Sequence, residues 1–408
     1  MTKHAVTPAG GPPSVRDSRV LVFSQRRLSP EVWHAAQFEL EDLLTEIDDA
    51  VVLAPEPEDH QYLRSIGNRA ANAALSRLHR PRRVPLWPSA SMRVTPVGTE
   101  HDLFFGVFHD AKELAHLHRL RGWRERSRRA VCLLVELWTP GIEVKQDYLE
   151  LLRQFDTVYV FNPCIAQDLS RRLGIGTPVY LSMAVDALEL SPLPLLPRRV
   201  IDVYSYGRRC SVAHATLLDL VEANGLTYLY DTLTEGHVRD HREHRRLMAN
   251  MMKRSRYFLT HTINDSPERR ARTGGDEGLS TRYFEGAAGG AVMLGTRPDT
   301  PLFDEAFPWP DAVVPLAFDV DGIAEVMDEL DRQPDRVAQI RADNVRGSLS
   351  RHDWAHRWAD VLRDAGLVQS PAHEKRLEVL AHCADQIEPS LFASGELVPT
   401  RTTEEPWA

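Results

Sequence analysis

Glu277 and Glu285 stand eight residues apart in the stretch DEGLSTRYFEGAAGGAVMLG, residues 276–295. Between them, Ser280 and Thr281 are helix-capping residue types placed at the start of the helix-like TRYFEGAA. The N–H groups that open a helix, with the positive end of its dipole, form an anion site. Glu277 and the adjacent Gly278 then fall in the loop ahead of the helix, and Glu285 about one turn inside it. A phosphate bound there lies between two carboxylates, which suits a ligand with hydroxyls on both sides of a diphosphate. A nucleotide sugar has that layout, with ribose on one side and hexose on the other. Gly289 and Gly290 end the helix and lead into the strand AVMLG. Taken alone, the same residues also fit a surface Glu and a helix Glu with a glycine cap.

A second group supplies positive charge. The strand-like VIDVYSYG, residues 200–207, ends in Gly207, Arg208 and Arg209 immediately before a helical pattern. In an open α/β sheet the carboxyl ends of the strands meet the ligand, and glycine permits a tight turn that brings backbone N–H groups near an anion. Arg208 or Arg209 then offers charge-assisted hydrogen bonds to a diphosphate. An ordinary strand-to-helix turn with solvated arginines is the competing interpretation.

The elements that must position these groups follow from length and periodicity. A chain of 408 residues suits two domains of about 150–200 residues each. Its 43% hydrophobic and 26% charged residues are those of a globular protein, and a net charge of −9 argues against nucleic acid as the main partner. Four cysteines without a CxxC pair fit reduced thiols and a cytoplasmic setting. No apolar run is long enough for a membrane span. Short apolar runs, among them RVLVFS, DLFFGVF, RAVCLLVEL and TVYVFN, alternate with helical patterns, which predicts parallel sheets covered on both faces. The prolines of LELSPLPLLPRR interrupt that rhythm. The expected organisation is a leader over 1–17, a first Rossmann-like domain over 18–187 and a linker over 188–199. A second Rossmann-like domain over 200–366 and a C-terminal helix and tail over 367–408 complete it. Two such α/β halves are expected to leave a ligand cleft between them.

EGLSTRYFEGAAGGAVMLG resembles the Glu-x7-Glu donor motif of family 4 type glycosyltransferases with the two-domain GT-B fold. Its Ser-x-Arg-x-x-Glu core is most similar to the CgeB-like branch. QFDTVYVFNPCIAQDLSRRLGIGTPVYLSMAVDAL resembles the last βαβ unit of the acceptor domain, VIDVYSYGRR the start of the donor domain, and ADNVRGSLSRHDWAHRWADVL the closing helices. The likeness spans about residues 130–365 and implies a doubly wound α/β GT-B fold. It implies transfer of a sugar from a nucleoside-diphosphate sugar to a small-molecule, glycan or peptide acceptor, with retention; no metal or other cofactor is expected where arginines and a helix start neutralise the diphosphate. By the same resemblance Glu285 accepts hydrogen bonds from the ribose, Glu277 contacts the donor sugar, and Arg208 binds the diphosphate with the Ser280 and Thr281 amides. The family's lysine just past that arginine is missing. Arg209, or an arginine of PERRAR (Arg269, Arg270, Arg272), is its expected replacement.

Glu136, near the end of VCLLVELW, and His109 and Asp110, after DLFFGVF, are candidate acceptor-side groups, with Trp138 as a sugar platform. An inverting reaction needs a general base of this kind. Other patterns are read without chemistry. His237, His241 and His244 fall on one face of a helix expected to be solvated. LHRLRGWRERSRR, with six arginines, is expected to be an exposed helix flank, with peripheral contact to a membrane or anionic acceptor as the alternative. GIGT precedes a strand, the wrong context for a dinucleotide loop, and the DVD at 319–321 reads as a helix cap. The rival functions are a non-catalytic partner of a true transferase and a nucleotide-sugar epimerase.

Overall fold

The computed structural model describes residues 17–26, 31–54, 95–207, 209–232, 240–318 and 321–393. The expected leader up to residue 16 and the tail from 394 onward lie outside the described residues. The chain divides into two compact units, Met1–Ser29 with Leu44–Tyr180, and Pro30–Leu43 with Leu181–Ala408.

In the first unit six strands form one parallel sheet: β1 (Val20–Phe23), β2 (Ala50–Leu53), β3 (His101–Phe108), β4 (Ser127–Leu134), β5 (Thr157–Val160) and β6 (Val179–Tyr180), in the order β2-β1-β3-β4-β5-β6. β1 is buried along its whole length, which an all-apolar VLVF run requires when both sheet faces are covered. The arginine-rich segment 117–129 is not a helix flank. A 3-10 stretch ends at Arg119, Leu120–Arg121 pairs with Thr95–Pro96, and β4 begins at Ser127. Gly122, at φ +78, makes the turn, and the arginines meet acids: Arg124 with Asp156, Arg126 with Glu100, and Arg128 with Asp102 on the neighbouring strand.

The second unit holds a five-stranded parallel sheet: β7 (Ile201–Ser205), β8 (Tyr228–Tyr230), β9 (Ser255–Thr260), β10 (Val292–Gly295) and β11 (Val314–Pro315), in the order β8-β7-β9-β10-β11. Residues 30–43, which begin helix α1 (Ala35–Ile47), go with this unit, as do residues 181–187. Both differ from the expected 18–187 domain, and ion pairs and a backbone bridge account for this. Glu39 and Asp42 pair with arginines of the helix His241–Lys253, and Val185 bridges to Asp353.

Further helices of this unit are α2 (Ser211–Asn224), α3 (His241–Lys253), α4 (Pro267–Thr273), α5 (Thr281–Ala288), α6 (Pro334–Arg351), α7 (Trp354–Ala365) and α8 (Pro371–Asp385). α5 lies against the sheet because Gly286 carries no side chain. A Cβ there would come within 2.8 Å of Met293 Sδ and Phe258 Cδ1. α8, the helix expected near the C-terminus, is tied down by Arg376, which donates to Asp353 at 2.7 and 2.9 Å and to Asp186 at 2.7 Å. Asp186 and Asp353 also cap the helices that follow them, so one arginine joins two helix starts.

Candidate active site

The carboxyl end of β7 is one wall of the site. Tyr206 follows the strand, and Gly207 turns the chain at φ +71, a conformation glycine adopts without steric cost. The Gly207 N–H donates to Asp231 Oδ2 at 2.9 Å, so it is engaged by a carboxylate. Arg209 donates to the Asp231 backbone carbonyl and, at 3.3 Å, to its Oδ1, and its guanidinium lies 4.9 Å over the Tyr230 ring. Its charge is thereby balanced locally. Arg208 lies outside the described residues.

The start of α5 brings a different arginine to this wall. Ser280 occupies the N-cap without a side-chain cap bond; its hydroxyl instead accepts from Arg282 Nε at 3.4 Å. Arg282 Nη1 reaches the Tyr206 carbonyl at 3.4 Å and stands 3.8 Å from where a Cβ on Gly207 would lie. Burial lowers the pKa of this guanidinium, against the raising influence of Tyr206, Tyr283, Glu285 and Asp265. Sequence reasoning assigns Arg282 no role, although it is the arginine of the Ser-x-Arg-x-x-Glu pattern and that spacing is the signal that points to it.

Glu285, within α5, is 4% exposed. Tyr206 Oη donates to its Oε2 and Arg245 Nη1, from α3, to its Oε1. Arg245 turns its other donors to Glu39 of α1, Nε to Oε2 at 2.6 Å and Nη2 to Oε1 at 3.1 Å. Glu39 Oε1 also accepts from the Asp186 N–H at 2.8 Å and from Trp354 Nε1 at 3.1 Å. The result is a buried Glu–Arg–Glu chain. Burial raises the pKa of Glu39 against the lowering pull of Arg245. For Arg245, burial alone lowers the pKa, but Glu39 and Glu285 outweigh it and the guanidinium is raised above its usual value. Burial, then Glu285 and Tyr204, hold the Tyr206 phenol protonated, as a donor must be.

Glu277 is half-buried in the loop before α5, where its Oε1 accepts from Asn264 Nδ2 at 3.0 Å. Asn264 also donates to the Asp276 carbonyl and accepts from Thr273 Oγ1 at 2.5 Å, which ties the loop to α4. Gly278 is buried beside it. The segment holding Arg269, Arg270 and Arg272 is the helix α4, opened by a Ser266 cap and Pro267 and closed by Gly274 in the left-handed conformation. Arg269 pairs with Asp265, and Arg270 Nε reaches the Asn264 carbonyl at 3.2 Å.

In the first unit, His109 and Glu136 are partners. They follow β3 and β4, and His109 Nε2 meets Glu136 Oε2 at 3.0 Å. Trp138 Nε1 stands 3.5 Å from Glu136 Oε1. Asp110 is committed elsewhere: it caps the 3-10 stretch through the Lys112 N–H and pairs with Lys145 Nζ at 2.6 Å. Beyond β1, Gln25 Oε1 bonds His116 Nδ1 at 2.6 Å, and burial pushes the His116 pKa down to about 4.

The histidine-rich helix is less solvated than expected. His241 Nε2 bonds Asp42 at 2.7 Å and burial lowers the His244 pKa, while His237 lies outside the described residues. Of the DVD segment, Asp321 does not cap the helix. Gly322 is the N-cap there, and Asp321 accepts from Thr216 Oγ1 at 2.8 Å, with Asp319 outside the described residues. Among the described residues no helix is long and apolar enough to cross a membrane.

Residues 203–363, which contain Glu285, Glu277 and Arg282, match a family described as glycosyl transferase-like. No curated protein matches the chain. Among solved structures, Anabaena HepE in complex with UDP and glucose matches at a TM-score of 0.51 and 11% identity, over 86% of this chain and 100% of that one. An alpha-glucosyltransferase in complex with UDP and a 13-mer DNA containing an HMU base matches at a TM-score of 0.50 and 11% identity, over 86% of this chain and 99% of that one. At such identity the likeness is one of fold. The chain has the GT-B fold of glycosyltransferases, with two Rossmann-like parallel-sheet units, and its second unit carries a glycosyl transferase-like segment.

Proposed function

We propose that the chain transfers a hexosyl group from a nucleoside-diphosphate sugar to an acceptor hydroxyl in the cytoplasm, with retention at the anomeric carbon and without a metal ion. The observation that carries this reading is the Glu285 carboxylate, buried and held by Tyr206 and Arg245 within the glycosyl transferase-like segment. Each of its oxygens accepts one protein hydrogen bond, and a carboxylate offers about four lone-pair sites, so capacity remains for ribose hydroxyls. Arg282 and Arg208, with the amides at Ser280 and Thr281, take the diphosphate. Glu277, oriented by Asn264, contacts the donor sugar. The barrier lies in parting an anionic leaving group from an oxocarbenium-like sugar, and fixed positive charge at the diphosphate is the largest contribution to lowering it. A buried arginine and a helix start supply such charge from the protein itself. The finer kinship, family 4 type and closest to the CgeB-like branch, rests on the Glu-x7-Glu spacing and the Ser-x-Arg-x-x-Glu core.

Because the HepE and alpha-glucosyltransferase structures contain UDP, uridine-linked sugars are the first donors to test. The test is release of nucleoside diphosphate from a panel of donors in the presence of a chelator, with the anomer of the product assigned by NMR. Turnover of one donor with retention is expected; no release from any donor contradicts the reading. The His109–Glu136 pair supports a second outcome, since a histidine held by a carboxylate is a competent general base. Product of inverted configuration would select it.

A further inference from the structure

We propose that Arg245 is the positioning residue for Glu285, and that Glu39 fixes Arg245 in turn, so that the ribose-binding carboxylate is aimed from α1. This rests on the donor-site reading above and extends it to residues outside the motif. Arg245 and Glu285 are 40 positions apart and Arg245 and Glu39 are 206 apart, so no local spacing links them. The three residues are 4–9% exposed. A guanidinium has a planar fork, and here the fork is divided, with Nε and Nη2 on Glu39 and Nη1 on Glu285. Lysine cannot reproduce that division from one ammonium.

Glu39 is itself fully engaged. Its carboxylate accepts from Arg245 twice, from the Asp186 N–H and from Trp354 Nε1, which sit ahead of the short helix Ala187–Leu190 and at the start of α7. Four donors from three elements hold this carboxylate in one place. Arg245 inherits that rigidity, and with Tyr206 it leaves the Glu285 plane one orientation. The cluster carries two carboxylates for one guanidinium. With one donor bonded to each oxygen, the Glu285 carboxylate keeps lone pairs for hydroxyl donors, and a cis-diol is the ligand class that satisfies them.

The test compares binding of uridine diphosphate with that of its 2′,3′-dideoxy analogue, which lacks the hydroxyls but keeps base and diphosphate. The ratio of the two affinities reads the ribose contact alone. General damage to the fold weakens both ligands and leaves the ratio in place. Wild type is expected to favour the ribonucleotide at least about tenfold, the scale of a hydrogen bond to a charged group. Arg245→Lys is expected to bring the ratio to about one while changing dideoxy affinity less than about twofold. Glu39→Gln, which keeps the shape but removes the anchor's charge, is expected to lower the ratio partway. A wild-type ratio of one overturns the ribose role of Glu285 and this inference with it. An undiminished ratio in both folded variants overturns the positioning role alone and leaves the donor-site reading standing.

Discussion

The two sheets present polar groups of different character at their carboxyl ends. In the second unit Glu39, Arg245 and Glu285 are 4–9% exposed and each charge has an opposite charge bonded to it. In the first unit the His109 and Glu136 side chains are 15% and 30% exposed, and their contact is one hydrogen bond between a neutral-capable ring and a carboxylate. A buried, divided ion network resists reorientation, which suits recognition of an invariant ligand part. A partly exposed His–Glu pair is within reach of a group that arrives from solvent. Under the proposed function, the first group would hold the nucleotide and the second would meet the acceptor.

His109→Asn breaks the comparison most sharply. Asparagine removes the imidazole that sets Nε2 against Glu136. Where the product is inverted, its loss is expected to cut turnover by about 10²–10⁴-fold, the usual contribution of a general base; under retention the loss is expected to stay below about tenfold. Nucleotide affinity, measured by calorimetry on the same sample, should change less than about twofold. A parallel loss of both would merge the two sites into one function.

Gly286→Ala tests how the second site is held. The added methyl meets Met293 Sδ and Phe258 Cδ1 at 2.8 Å, so α5 must lift from the sheet and take Glu285 with it. Overpacking of this kind costs about 1–3 kcal/mol. Chemical denaturation should show that loss, together with weaker nucleotide binding.

The smallest effect sharpens the first-unit side. Burial depresses the His116 pKa to about 4, against about 6.5 for an unfolded histidine. The unfolded chain therefore binds more protons than the folded one between those values, and stability rises with pH there. The contribution is complete above about pH 6.5 and is lost as pH falls toward 4. Melting temperature followed over this range should fall less steeply on the acid side in His116→Gln than in wild type.

Much of the frame is readable from the chain. TRYFEGAA is the helix Thr281–Ala288, and the apolar runs VLVF, FFGVF and VYV are parallel strands, because burial on both faces demands such runs. The segment ahead of α5 reads as irregular, yet PERRART is helical. It has no apolar stripe, and the Ser-Pro start and glycine end are its signals. The basic stretch 117–129 misleads in the opposite direction, since its charges pair across strands and turns instead of along a helix. Least legible is the support of Glu285. Glu39 and Arg245 come from α1 and α3, and no sequence period records a pairing that only tertiary packing creates.

The most direct test of the donor site is thermal shift with uridine diphosphate, chelator present, on wild type and Glu285→Ala. The expected result is a rise in melting temperature for wild type, by the amount that ligand excess over Kd dictates, and no rise for the variant. An equal rise in both proteins would contradict a nucleotide site built on Glu285.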